Sequence, residues 1–309
     1  MKKTVLLFLW VLLSSGLSGQ VIRKIEPENP AIESYYVVEP RGEIKGAMVL
    51  LPPGFSPVEG IFPETKLHNV AYLHNILVVA LAYGGNTIYM TDEVLFRMNT
   101  VLAEVVETYG IPPDKFVIGG FSAGGITSLC YAVHAKKFPG QTAVDPAGVF
   151  TADSPVDIAE VWRTLNRELE KNYSAMAMAE ARNFLPEIER DMNGTPEENP
   201  ESYVEHSPFS LQRKDGGNAK YLLSTAVRLH HDPDILWQIK NRRRDYYDMN
   251  EPMASALVNW LLLHGYERAE FVVADRPAHR SQGNRHPHSW SVIEEVACVL
   301  WAKRCLDIE

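Results

Sequence analysis

The ten residues Phe116-Val117-Ile118-Gly119-Gly120-Phe121-Ser122-Ala123-Gly124-Gly125 constrain this chain more than any other stretch. A short apolar run of strand type breaks into glycines around one serine and then resumes as a helical pattern. Its centre, Gly120-Phe121-Ser122-Ala123-Gly124, reads G-x-S-x-G. A serine on a tight strand-to-helix turn sits in strained backbone geometry, and side chains two residues to either side would strike the turn. Glycine at both flanks removes that collision and leaves the hydroxyl exposed at the strand's end, where a base can reach it. The five-residue pattern alone is common, but a strand before it and a helix after it are the context in which it marks a nucleophile.

The bulk of the chain sets limits on the rest. With 309 residues, 46% of them hydrophobic and 22% charged, one large core is the expectation, with no low-complexity tract and no repeat. The net charge of −9 and the isolated run Arg242-Arg243-Arg244, followed at once by Asp245, argue against a nucleic-acid partner. Residues 1–20 read as a signal peptide: Lys2 and Lys3 lead, Val5 to Leu13 are apolar, and Ser14 to Gly19 are small enough for cleavage. Export to a periplasm or outside the cell is expected, with no stable membrane insertion after cleavage, since that apolar stretch is too short to span a bilayer. Three cysteines, Cys130, Cys298 and Cys305, make no disulfide framework and read as core residues. No cysteine or histidine cluster has metal-ligand spacing, and no metal or organic cofactor is implied.

Along the chain, Glu33 to Val38 and Gly46 to Leu51 are strand-like and separated by a turn cluster, so an antiparallel pair is expected to open a sheet. Ile76 to Leu81 is a continuous apolar run, suited to a strand covered on both faces. Tyr83 to Asn86, after its end, is a candidate pocket edge or a plain glycine turn. A helix capped by Thr91 and stopped at Gly110 precedes the serine stretch, and Ala147 to Ala152 is a further buried strand. From Val156 to Asn218 the alternation stops in favour of two helical patterns and a polar loop, which reads as a helical cap inserted outside the sheet. Strand character returns at Ala226 to Leu229 and Ala269 to Val273, with a helix around Pro252 to His264 between them and a closing helix from Trp290 to Trp301. The fold class is therefore α/β, a mostly parallel central sheet covered by helices on both faces, with residues 21–309 forming one catalytic domain that includes the 156–218 insertion.

A serine hydroxyl is a poor nucleophile at neutral pH and needs a base within hydrogen-bond reach, oriented by a carboxylate. Those partners must come from other strand ends. His230-His231-Asp232-Pro233-Asp234 follows one strand, and Arg285-His286-Pro287-His288-Ser289-Trp290 precedes the last helix. The chain order is thus serine, acid, histidine. Asp153 and Asp275 also stand at strand ends and read as loop or capping carboxylates.

In this order and in its elbow, the chain resembles the α/β-hydrolase superfamily over essentially its whole mature length. The resemblance implies an acid after the penultimate strand in a His-Gly-x-x-Asp pattern. That nominates Asp234, with Asp232 as the alternative and His231 where glycine usually stands. It implies a base just before the closing helix, which nominates His288, with His286 behind it. It also implies two backbone donors for a developing oxyanion. One is the N–H of Ala123. The other belongs to the loop after Leu51, where Pro52 and Pro53 carry no N–H and Phe55 is favoured beside Gly54. The lipase-type histidine of that loop is missing.

The expected activity is hydrolysis of a small-molecule carboxylic ester through an acyl-enzyme. The rivals are a serine aminopeptidase or dipeptidyl-type peptidase with a peptide substrate, acyl transfer from the same intermediate, and a non-catalytic binding protein on the same scaffold.

Overall fold

A computed structural model describes residues 20–84 and 88–308. All but the last residue of the expected signal peptide, and Gly85 and Asn86 of the glycine turn, lie outside the described residues. The elements run β1 (Ile22–Ile25), β2 (Tyr35–Val38), β3 (Gly46–Leu51), α1 (Ile61–Glu64), α2 (Leu67–Leu73), β4 (Ile76–Ala80), α3 (Asp92–Tyr109), β5 (Phe116–Phe121) and α4 (Ala123–Lys137). They continue with β6 (Gly148–Ala152), α5 (Ile158–Lys171), α6 (Ala175–Met192), α7 (Pro200–Glu205), β7 (Ala226–His231), α8 (Ile235–Trp237), α9 (Glu251–Leu263), β8 (Ala269–Val273) and α10 (Glu295–Cys305).

The strands form one eight-stranded sheet in the order β1-β2-β4-β3-β5-β6-β7-β8. From β4 to β8 every pairing is parallel, while β1 and β2 add an antiparallel edge. The expected antiparallel pair of β2 and β3 does not form. β4, apolar throughout and buried along its whole length, takes the place between them and pairs with β2 on one side and β3 on the other. A strand that must hide both faces belongs inside a sheet, and the more exposed β1 takes the edge.

Alternation along the strands sorts two cores. Met48, Leu50, Val78 and Val117 face α2 and α10, meeting Leu67, Ala71, Cys298 and Trp301. Ala47, Val49, Leu77, Val79 and Ile118 face the other way, against Val94, Met98 and Val101 of α3. Each fully buried large aliphatic side chain contributes about 1.5–3 kcal/mol, so the two layers hold the sheet rigid. The α3 caps follow the sequence: Thr91 Oγ1 accepts from Val94 N–H at 3.3 Å, and Gly110 ends the helix at φ 62°.

Between β6 and β7 lie α5, α6 and α7, with no strand among the described residues. They dock on α4 through Ile126 and Cys130, which pack with Ile158, Leu165, Leu185 and Tyr203. The insertion therefore rests on the helix that follows Ser122. No helix among the described residues is long and apolar enough to cross a membrane.

Candidate active site

Ser122 sits between β5 and α4 at φ 56° and ψ −120°, a conformation that L-residues rarely adopt. The sequence explains how the strain is tolerated. A Cβ on Gly120 would lie 2.3 Å from the Gly124 carbonyl carbon, and one on Gly124 would lie 2.3 Å from the Pro52 oxygen. Both glycines let α4 close onto β5 and onto the loop after β3. The Ser122 N–H donates to the Ala152 carbonyl at 3.0 Å, which ties the elbow to the end of β6.

His288 reaches the elbow from the loop before α10, its ring 4.5 Å from that of Phe121. The His288 Nδ1–H donates to Asp153 Oδ2 at 2.6 Å, a short, charge-assisted contact. Asp153 is the residue immediately after β6, at φ 39°, and its N–H donates to the His230 carbonyl at 2.8 Å. Asn250 Nδ2 donates to Asp153 Oδ1 at 3.1 Å, and His231 Nδ1 lies 3.2 Å from the same oxygen. Burial alone would raise the Asp153 carboxyl, but the charges and hydrogen bonds of His288 and His231 overcome it and hold the group well below the ordinary carboxylate range.

Asp234, nominated from the sequence as the acid, does not meet His288. Strand β7 runs on through His230 and His231, both buried, so the acids beyond it fall past the histidine. Asp234 Oδ1 instead accepts from Trp237 N–H at 2.9 Å as the cap of α8, and its Oδ2 accepts from Arg285 at 2.8 Å. Asp232, the alternative, is 2.9 Å from the same guanidinium and accepts from Ala278 N–H at 2.9 Å. Both acids thus clamp the loop that delivers His288. The strand-end carboxylate assigned to a loop or cap from the sequence, Asp153, occupies the position facing the histidine. Asp275 lies exposed after β8. His286, the second histidine candidate, accepts from Arg242 Nη1 at 3.0 Å, and burial followed by the charges of Arg280 and Arg242 pushes its pKa down to about 4.

Ser122, Ala123, Asp153 and His288 line one cavity of about 390 Å³, together with Gly54 and Phe55 from the loop after β3. Ser56 N–H is engaged by the Pro53 carbonyl at 3.3 Å, whereas the N–H groups of Gly54, Phe55 and Ala123 have no hydrogen-bond partner among the described residues. Phe55 is held at φ 61°, and Tyr83 donates to the Pro52 carbonyl at 3.1 Å, fixing this loop from below. The insertion supplies Val161, Leu165 and Phe184 to the cavity wall, with the Phe184 ring 5.7 Å from Phe55.

Beneath His288 is a buried acidic group that the sequence did not reveal. Ligand-type atoms of Asp153, His231 and Glu251 lie within 4.8 Å of one another. Asp153 is already committed to His288 and Asn250, and burial, then the charge of Asp153, pushes the Glu251 carboxyl up to about 8. Glu251 opens α9, so only the packing of α9 against β7 and β8 brings it here.

No family model and no curated protein matches the sequence. Solved structures do match. A hormone-sensitive lipase from a metagenome library superimposes with a TM-score of 0.58 at 13% identity, covering 93% of this chain and 86% of that one. Carboxyl esterase 2 from the mycorrhizal fungus Tuber melanosporum gives 0.54 at 14% identity, over 96% and 86%. MPT51 from Mycobacterium tuberculosis gives 0.56 at 12% identity, over 94% and 99%. At these identities the likeness speaks for architecture alone. The chain has the α/β-hydrolase fold.

Proposed function

We propose that the protein is a serine hydrolase that cleaves carboxylic esters through an acyl-enzyme. The observation that carries this is the contact between His288 Nδ1 and Asp153 Oδ2 beside Ser122 in one cavity. With Nδ1 held by the carboxylate, the other ring nitrogen is free to take the Ser122 proton as Oγ bonds to the ester carbon. The carbonyl oxygen gains negative charge, and the unpartnered N–H groups of Ala123 and of Phe55 or Gly54 are the donors for it. Collapse breaks the ester C–O bond, and the departing alkoxide takes the proton back from His288. Water then attacks the acyl group, giving its proton to His288, and Ser122 leaves as the hydroxyl. Asp153 stays ionised throughout. The solved structures of similar shape include an esterase and a lipase by name, which supports an ester over an amide substrate. The leader-like residues 1–20 support export, and α5 to α7 act as the cap that shapes substrate entry.

The test is a panel of short acyl 4-nitrophenyl esters beside aminoacyl 4-nitroanilides, with fluorophosphonate labelling of wild type and Ser122→Ala. Ester turnover and labelling that both vanish in Ser122→Ala are expected. Turnover of the anilides alone would assign a peptidase, and equal labelling of both proteins would remove Ser122 from the chemistry.

A further inference from the structure

The cavity that holds Ser122 contains arginine side chains whose close ion pairs are incomplete. Three arginines line it, Arg242, Arg244 and Arg280. Arg244 is fully committed, with Nε donating to Glu168 at 2.9 Å and Nη2 donating to Glu180. Asp248 is held by Lys171 at 2.5 Å and by Arg167 at 3.5 Å, and Asp153 by His288. Burial and the charge of Asp153 raise the Glu251 carboxyl, so it balances the arginines less than an ordinary carboxylate would. Arg280 has no ion pair and no side-chain hydrogen bond among the described residues, and its guanidinium stands 5.0 Å over the Phe121 ring. Arg242 donates to His286, a neutral acceptor, and is 3.9 Å from a Glu180 oxygen that Arg244 does not take.

Half-buried guanidinium groups without a close, hydrogen-bonded counter-charge are costly, because lost hydration is not replaced. Here burial lowers the pKa of both arginines and the charges of Arg244 and Arg280 add to this at Arg242, while Glu180 and Glu168 at Arg242, and Glu64 and Asp153 at Arg280, offset it only in part. An anion placed between them would regain that energy through charge-assisted, forked hydrogen bonds.

Position then says which part of a substrate the anion belongs to. His288 must return its proton to the departing oxygen, so the groups around it border the leaving half of the ester. Phe121, under Arg280, is in ring contact with His288, and the His286 ring that Arg242 donates to is 6.4 Å from that of His288. Apolar walls lie elsewhere, where Phe55 meets Phe184 near Leu165 and Ile88.

We propose that Arg280 and Arg242 form an anion-recognising subsite that selects esters whose alcohol part bears a carboxylate and whose acyl part is apolar. The proposal rests on the serine hydrolase assignment above. His286 is then a positioning residue, a neutral acceptor that aims Arg242 without cancelling its charge.

The experiment compares 3-(butanoyloxy)benzoate with 3-(butanoyloxy)benzamide on the full chain, with 4-nitrophenyl butanoate as a neutral reference. Wild type is expected to favour the carboxylate in kcat/KM by about tenfold or more, the size of one charge-assisted hydrogen bond, carried mainly by KM and shrinking in 1 M salt. Arg280→Gln and Arg242→Gln should each pull that ratio towards one, and Arg280→Lys should restore part of it. A wild-type ratio near one, or a ratio that neither glutamine variant changes in protein of unaltered Tm, overturns the subsite. A preference only for 4-nitrophenyl hydrogen adipate over its methyl ester would place the anion on the acyl side and overturn the assignment to the alcohol. If none of the esters is cleaved, the hydrolase assignment itself fails and takes the subsite with it, an outcome distinct from equal cleavage of charged and neutral esters.

Discussion

His288 Nδ1 and Asp153 Oδ2 stand 2.6 Å apart across 135 residues of chain, and no other carboxylate among the described residues bonds to this imidazole. The acid comes from the end of β6, next to the elbow strand, rather than from β7. This pair separates the chemistry of Asp153 from the mechanics of Asp232 and Asp234.

Replacing Asp153 by Asn should therefore lower kcat on 4-nitrophenyl butanoate by roughly 10³–10⁴-fold, because the histidine loses the partner that fixes its tautomer. Asp234→Asn should cost less than about tenfold. Steady-state kinetics on both variants decide the matter, and an Asp234 effect as large as that of Asp153 would return the role to β7.

Arg285 holds the loop between β8 and α10 by donating to Asp232, Asp234 and the Ala278 carbonyl. Its removal leaves two neighbouring carboxylates facing each other in a partly buried site. Arg285→Met is expected to destabilise the fold by about 1–3 kcal/mol, less than a fully buried pair would because Asp234 is about one-third exposed. Urea unfolding gives that number. An unchanged midpoint with unchanged activity would show that the clamp is dispensable.

Gly124→Ala should strike the chemistry through the backbone. Its Cβ would press on the Pro52 and Leu51 carbonyl oxygens at 2.3 and 2.6 Å, pushing away the loop that carries Gly54 and Phe55. A loss of at least about 100-fold in kcat is expected, comparable to losing an oxyanion donor. Full activity in folded protein would mean that this loop supplies no donor.

Glu251 predicts a pH dependence of stability. Its carboxyl is raised from 4.5 to about 8, so the unfolded chain gives up a proton that the folded chain keeps as pH rises between those values. The stabilising contribution is complete below about pH 4.5 and is lost progressively up to about pH 8. Asp153 has the opposite sign and acts at the acid end, outside this window. The Tm of wild type relative to that of Glu251→Gln should therefore fall from pH 5 to pH 8. Parallel Tm curves would show that Glu251 is ionised in the folded protein.

Much of the architecture was legible because its signals are local. A continuous apolar run such as Ile76 to Leu81 has to be a strand with both faces covered, and Thr91 and Gly110 mark helix ends by their own backbone chemistry. The neighbour of β2 was not legible, since strand order depends on which face each element must bury against another. Nor did any local pattern distinguish Asp153 from Asp234, because every carboxylate at a strand's end looks alike until the sheet sets the distances.

The sequence alone determined the elbow: Gly120, Ser122 and Gly124 meet a steric demand that acts over five residues; the family resemblance nominated His288, with His286 behind it, for the base. Only the tertiary structure decided which acid faces that histidine, that Glu251 lies close to that acid, and that Arg242 and Arg280 share the cavity, Arg242 with Glu180 only at 3.9 Å and Arg280 with no ion pair among the described residues. Steric constraints of a turn act between neighbours in sequence. Electrostatic partnership depends on distances of a few ångströms between residues more than a hundred positions apart, and only the packed sheet fixes those.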